Sequence, residues 1–212
     1  MFCSASISPP GKQRVAFLSQ GDAPCGTQAV RMIASSDASA RIDFACFDKG
    51  VLLGSGTQIA DSVAKTAGGA IAASLCSVSL QGTAVLNNSA HGDAGGVHLG
   101  TGASLAVQGG VVFQNNSAQR SGGALMCEAC EAIDLHASLS GHDGDASNRF
   151  LDNRAKGGSG GAMRINAPVR AITSNGSIFE GNVAEHDGGA IFMSMSALAG
   201  SPGGAWTSEG DH

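Results

Sequence analysis

The side chains with chemistry to offer are concentrated between Leu125 and Arg149, where Cys127, Cys130, Asp134, His136, His142, Asp143 and Asp145 fall within a short stretch. Cys127 and Cys130 form a Cys-x-x-Cys pair. Paired with a second such motif it makes a zinc site, and on a βαβ unit it makes a redox centre. The sequence has no second Cys-x-x-Cys and no βαβ pattern around the first. A zinc ion would have to recruit His136 or His142, so a local disulfide or two buried thiols fits the spacing better. Cys3, Cys25, Cys46 and Cys76 bring the count to six, an even number that suits an oxidising compartment while leaving the pairing open.

The acidic residues raise a second possibility, cleavage of a polysaccharide. Glycoside hydrolysis needs two carboxyl groups about 5–9.5 Å apart across the sugar, and a lyase needs a calcium-binding carboxylate cluster with a basic residue to take the proton. Enzyme chemistry would therefore require Asp134, Asp143, Asp145, Asp152 and Arg164 to converge in one groove. Gly141-His142-Asp143 and Arg164-Ile165-Asn166 do not match the Gly-His-Gly and Arg-Ile-Lys phrases of polygalacturonase-like enzymes. Asp143-Gly144-Asp145 opens like a calcium loop but lacks the twelve-residue pattern and its closing Glu. A solvated loop is the simpler reading of these residues, and we expect no catalytic residue, metal or cofactor. His91, His98 and His186 are expected at turns or corners on the surface.

The elements that must position these side chains announce themselves by repetition. A Gly-Gly-small-apolar phrase stands at Gly68-Gly69-Ala70-Ile71, Gly95-Gly96-Val97-His98, Gly122-Gly123-Ala124-Leu125, Gly160-Gly161-Ala162-Met163 and Gly188-Gly189-Ala190-Ile191. Ahead of the last four lies an apolar residue three positions before an asparagine: Val85 and Asn88, Phe113 and Asn116, Phe150 and Asn153, Phe179 and Asn182. Ile59-Ala60-Asp61-Ser62 takes the corresponding place before the first, with Ser for Asn. Counted between first glycines the steps are 27, 27, 38 and 28 residues, so the third unit holds an insertion, which we place at about 126–149. A fixed period of this size marks a solenoid whose units bury their apolar faces only by stacking.

The units are built of Gly, Ser, Asn and Thr with short apolar alternations, such as Ala103-Ser104-Leu105-Ala106-Val107-Gln108, and lack the long 3.6-residue periodicity of α-solenoids. Three short strands and three turns fill one coil of a parallel β-helix, with coils about 4.8 Å apart. In such a coil the glycine pair takes a sharp turn by reaching positive φ and by admitting the neighbouring backbone. Phe113, Phe150 and Phe179 are expected to stack in the interior. Asn88, Asn116, Asn153 and Asn182 are expected to occupy a corner in left-handed conformation and to form a ladder.

Gly-Gly-Ala-Ile alternating with Phe-x-x-Asn resembles the repeat of the polymorphic outer-membrane proteins of chlamydiae, over about Gly68 to Met193. The departures are Val85 in place of Phe and His98 in place of the usual aliphatic residue. The resemblance implies a right-handed parallel β-helix, a single-stranded, pectin-lyase-like solenoid, here of about five to seven coils. It also implies a surface-exposed or secreted adhesion or display module without catalysis, with the third-unit bulge supplying recognition of a surface protein or glycan. The carbohydrate-active enzyme on the same scaffold is the alternative. A signal peptide and a C-terminal barrel of the bacterial members are not seen in this sequence, so we expect a fragment of a larger surface protein or a relative outside the autotransporters.

Composition agrees with an elongated all-β rod. Thirty-two glycines, no Tyr and one Trp suit a thin solenoid better than a compact globule. A net charge of −5 supplies no basic stripe for nucleic acid, and no apolar run reaches the ~18 residues of a membrane span. Strand-like pieces at Gln13 to Leu18, Ala29 to Ile33, Ala40 to Phe47 and Gly50 to Leu53 make residues 1–66 irregular coils or a cap. Residues 67–195 are then the repeats and 196–212 a polar tail. Asn87, Asn115 and Asn175 stand in Asn-x-Ser phrases, acceptors of sugar if the chain is made in a eukaryotic secretory route.

Overall fold

The computed structural model describes residues 4–8, 28–29, 41–53, 57–137, 147–166, 169–194 and 205–209. Every described element is a β-strand. The repeat phrase explains how these strands wind. After each apolar-x-x-Asn corner comes a two-residue strand, then the glycine turn, then a strand of three or four residues. A further strand of about five residues leads to the next corner.

Stacked strands make three sheets. The largest has twelve strands in two limbs that share the long strands Arg41–Leu53 and Ile71–Gln81. From Ile71–Gln81 one limb runs through Val97–Leu99, Leu125–Glu128, Met163–Asn166 and Ile191–Ser194. The other runs through Ser104–Gln108, Ala132–His136, Ala171–Asn175 and Ala205–Glu209. The second sheet stacks Gln58–Ala60, Ala84–Leu86, Val112–Gln114, Asn148–Leu151 and Ser177–Glu180. The third stacks Val63–Ala64, Ser89–Ala90, Ser117–Ala118, Arg154–Ala155 and Val183–Ala184. All pairings along the two smaller sheets and along both limbs are parallel, which makes the molecule a parallel β-helix. Its two smaller sheets hold five rungs each among the described residues. Ser4–Ser8 departs from the pattern, lying antiparallel along Arg41 to Ala45. Of the early strand-like pieces, Ala40 to Phe47 (from Arg41 onward) and Gly50 to Leu53 merge into one strand, Ala29 ends a two-residue strand, and residues 30–33 and Gln13 to Leu18 lie outside the described residues.

Register gives each inward position its own column. Ile59, Val85, Phe113, Phe150 and Phe179 are paired rung to rung in the second sheet, and Ala64, Ala90, Ala118, Ala155 and Ala184 in the third. Ile71, Val97, Leu125, Met163 and Ile191 line the first limb, and Val78, Leu105, Ile133 and Ile172 the second. The third-sheet column is all alanine while the other columns carry Ile, Val, Leu, Met and Phe, and most of these inward residues are buried. Phe113 and Phe150 are fully buried, and burial of a side chain of this size stabilises by about 1.5–3 kcal/mol.

The third unit is less irregular than its length implies. Leu125–Glu128 pairs in register with the rungs on either side, and so does Ala132–His136. The insertion therefore starts after His136 and not at residue 126, because residues 126–136 supply rung positions that every coil needs. Asn148 closes it: its side chain is fully buried, accepts from the Val111 N–H at 3.1 Å and donates to the Val107 carbonyl at 3.3 Å.

Candidate functional site

The four asparagines after the apolar residue form a continuous buried ladder. The Asn116 Oδ1 accepts from the N–H of Asn88 at 3.1 Å and from its Nδ2 at 3.0 Å, while the Asn116 Nδ2 donates to the Val85 carbonyl at 2.9 Å and to Asn153 Oδ1 at 3.0 Å. Asn153 repeats the arrangement between Phe113 and Asn182, and Ser62 begins it by donating its N–H to Asn88 Oδ1 at 3.0 Å. Each carboxamide between the ends uses both N–H groups and accepts twice, so a polar column runs through the interior with no group left unpaired.

Left-handed backbone belongs to the residue before each ladder asparagine, contrary to the expectation above. Asp61, Asn87, Asn115, Asp152 and Gly181 have φ of 54–65°. All five positions are exposed, and Asp, Asn or Gly tolerates that conformation, so the buried residue is freed to hold the ladder geometry. Asn87 and Asn115, the first two Asn-x-Ser residues, are in this exposed column, and Asn175 is half-buried.

At the opposite corner the two glycines divide the work. Gly68, Gly122, Gly160 and Gly188 have positive φ of 62–73°. Except at Gly189, the glycine that follows is needed for space. A methyl at Gly69 would run into the Gly95 carbonyl, at Gly123 into that of Gly161, and at Gly161 into that of Gly189. One expectation shifts by a residue here. Ala94, with φ of 58°, occupies the first-glycine position, and its N–H donates to Ser121 as that of Gly122 does to Ser159. The second phrase therefore aligns as Ala94-Gly95-Gly96-Val97, and Val97 is the inward residue paired with Ile71 and Leu125. His98 replaces nothing aliphatic: it faces outward on the Val97–Leu99 strand, half-buried, with Nε2 3.3 Å from the Glu128 carboxylate. His91 and His186 are exposed outside the strands.

Sequence reasoning missed a second ladder just before the glycines. The Ser121 N–H donates to Asp93 Oδ1 at 3.0 Å, the Ser159 N–H to Ser121 Oγ at 3.3 Å, and the Asp187 N–H to Ser159 Oγ at 3.3 Å. A short polar residue ahead of Ala94 and of each of the last three glycine pairs was the available signal, hidden because it alternates between Asp and Ser. Arg164 braces this corner, donating to Ser121 Oγ at 2.7 Å and lying 5.3 Å from the Phe192 ring.

Cys127 and Cys130 are joined as a disulfide, and both are buried; with their thiols consumed, they are not zinc ligands. Cys76 is disulfide-bonded as well. Among the described residues no three His, Cys, Asp or Glu side chains gather as a metal site. Of the residues an enzyme would need, the three that are described stand on different elements. Asp134 is on the second limb, 3.1 Å from His136, Asp152 is at the exposed corner between the second and third sheets, and Arg164 is on the first limb. Asp143, Asp145 and His142 lie outside the described residues.

Residues 110–128 and 176–194 match the family model of the Chlamydia polymorphic membrane protein repeat. The chain carries that repeat. Each matched segment spans the same structural unit: a second-sheet strand, the asparagine corner, the third-sheet strand, the glycine turn and the first-limb strand. The polymorphic membrane protein repeat is thus the part of the coil that holds both ladders and the aromatic column, and the second limb lies outside it. No curated protein and no solved structure matches the chain. No helix among the described residues is long and apolar enough to cross a membrane.

Proposed function

We propose that this β-helix is a non-catalytic module of a cell-surface or secreted protein, a piece of a larger surface protein that displays a recognition face for a partner protein or glycan. The observation that supports it is how the repeat spends its side chains. Asn88, Asn116, Asn153, Phe113, Phe150 and the paired glycines are consumed in holding the rod, which leaves its outer faces free to vary. The chemically rich face is the second limb at the third rung. There His136 pairs with Asp134 at 3.1 Å, and Glu131 with Arg170 of the following rung at 2.9 Å, all substantially exposed. Exposed pairs of this kind stabilise by at most about 1 kcal/mol, so their charges are available to a ligand at little structural expense. The insertion follows His136 in sequence, at the end of this strand.

The test replaces residues 137–147 by the shorter connection of the preceding rung and, separately, changes Asp134 and His136 to Ala. Labelled protein is then added to intact cells and to a glycan array. Binding by the parent, lost in the variants with far-UV circular dichroism unchanged, supports the proposal. Release of reducing ends or unsaturated products from a polysaccharide panel would instead favour the enzyme on this scaffold.

A further inference from the structure

Four cationic side chains share the outer face of the third sheet. Alternation along its short strands turns Val63, Ser89, Ser117 and Arg154 outward in one column, with the alanine of each strand buried behind. The same register runs on past the strands: the N–H of His91 donates to the Ala64 carbonyl, that of Gln119 to Ala90 and that of Lys156 to Ala118. Lys65, His91, Gln119 and Lys156 therefore make a second, exposed column, about 6.6 Å along the strands from the first. Arg120 follows Gln119 beside it. Over these rungs, a height of about 14 Å, neither column holds a carboxylate.

These cations are not spent on the fold. Elsewhere on the rod Arg164 donates to Ser121 and Arg170 to Glu131. Among the described residues the side chains of Lys65, Arg154 and Lys156 have no hydrogen-bond or ion-pair partner. Arg120 lies 3.5 Å from Asp93 but stays largely exposed, and that carboxylate is already held by the Ser121 N–H at 3.0 Å. Other acids border the strip without entering it. Asp61 and Asp152 stand at the exposed corner along one edge, and Glu185 lies opposite Lys156 on the fifth rung.

We propose that this face binds a linear acidic polysaccharide, a chain carrying sulfate or carboxylate groups at regular intervals and lying along the rod. At physiological ionic strength charges beyond about 8 Å are screened. The local strip, and not the net charge of −5, then decides what can settle on it. A pyranose unit matches the coil rise of about 4.8 Å, so successive anionic groups can meet successive rungs, with Ser89, Ser117 and Gln119 as neutral hydrogen-bond donors between the cations. The strip is two columns wide and suits a single chain. A nucleic-acid duplex or a bilayer is broader and would press its phosphates against Asp61 and Asp152. The third sheet is separate from the strand that carries Asp134 and His136, so loss of either face would leave the other in place.

The test titrates the full chain calorimetrically with a heparin octasaccharide and with an oligogalacturonate of the same length. Saturable binding of at least one is expected, with log K falling against log salt at a slope of about −3, for four charges neutralised along a single strand. Arg154→Gln combined with Lys156→Gln should weaken binding about tenfold or more and flatten the slope by about one to two. Both positions are exposed, so the far-UV circular dichroism of this variant should match the parent. Asp152→Asn removes a bordering carboxylate and should tighten binding, while Glu128→Gln makes the same change of net charge on the first limb and should leave it unaltered. No saturable binding of either oligosaccharide, or parent-like binding by the Arg154→Gln, Lys156→Gln variant, overturns the proposal. So does tighter binding of a DNA duplex or of phosphatidylserine vesicles, which would make one of those the occupant.

Discussion

Asn116→Asp isolates the chemistry of the carboxamide ladder from its shape. The substitution keeps the outline of a fully buried side chain and exchanges the Nδ2 group for an oxygen that faces two acceptors, the Val85 carbonyl at 2.9 Å and Asn153 Oδ1 at 3.0 Å. A protonated acid satisfies one of these and leaves the other unpaired, a loss of about 1–3 kcal/mol. Ionisation is worse, because burial and the two facing oxygens disfavour the anion. A rise of about three pK units in the folded state, within the range for buried carboxyls, adds about 4 kcal/mol at neutral pH. The folded pKa then lies above the unfolded value of about 3.9, so the deficit is smallest below about pH 4. It grows as pH rises through the unfolded pKa and levels off above the folded one. Urea midpoints followed by far-UV circular dichroism at pH 4 and pH 7, for the parent and for Asn116→Asp, measure the difference directly. Asn116→Ala serves as the control, weakened at both values by a similar amount. An Asp deficit that is constant with pH, or that grows toward acid, would refute the ladder as described.

Two further substitutions probe the columns. Phe150→Ala should cost about 3–5 kcal/mol, as expected of a buried aromatic, and Phe179→Ala clearly less, because Phe179 is stacked on one side only; thermal melts of the pair compare them, and equal losses would contradict the stack. Ala94→Val should destabilise strongly, since a branched side chain at φ of 58° is strained. Ala94→Gly should be neutral or stabilising by about 1 kcal/mol, relief of strain being set against loss of a buried methyl.

The repeat was legible because stacking writes one requirement at the same place in every coil. Phe113, Phe150 and Phe179, the ladder asparagines and the glycine pairs can be read from period alone, since each column tolerates few residue types. Where a column tolerates several, the reading slipped. The corner before the glycines accepts Asp or Ser, because either oxygen receives an N–H, and so the second ladder left no fixed letter. Ala94 sits where glycine is usual, and that one substitution moved the second phrase by a residue and gave His98 a role that belongs to Val97. The insertion was set too wide because Cys127, Cys130 and Asp134 look like loop chemistry, although Cys127 and Asp134 occupy ordinary rung positions and Cys130 lies in a short turn between the limbs, as Gly100 to Ala103 do one coil earlier.

The connection after the second limb has a practical meaning. Three residues, 109–111, join Gln108 to Val112 in one coil, while twelve, 137–148, join the partners His136 and Arg149 in the next, and both strand pairs stay aligned. Corner length is therefore uncoupled from the winding of the rod. A foreign epitope, tag or small binding loop spliced at this corner should leave the remaining turns undisturbed, so the molecule doubles as a ruler along which grafted segments are presented at spacings set by the coil rise.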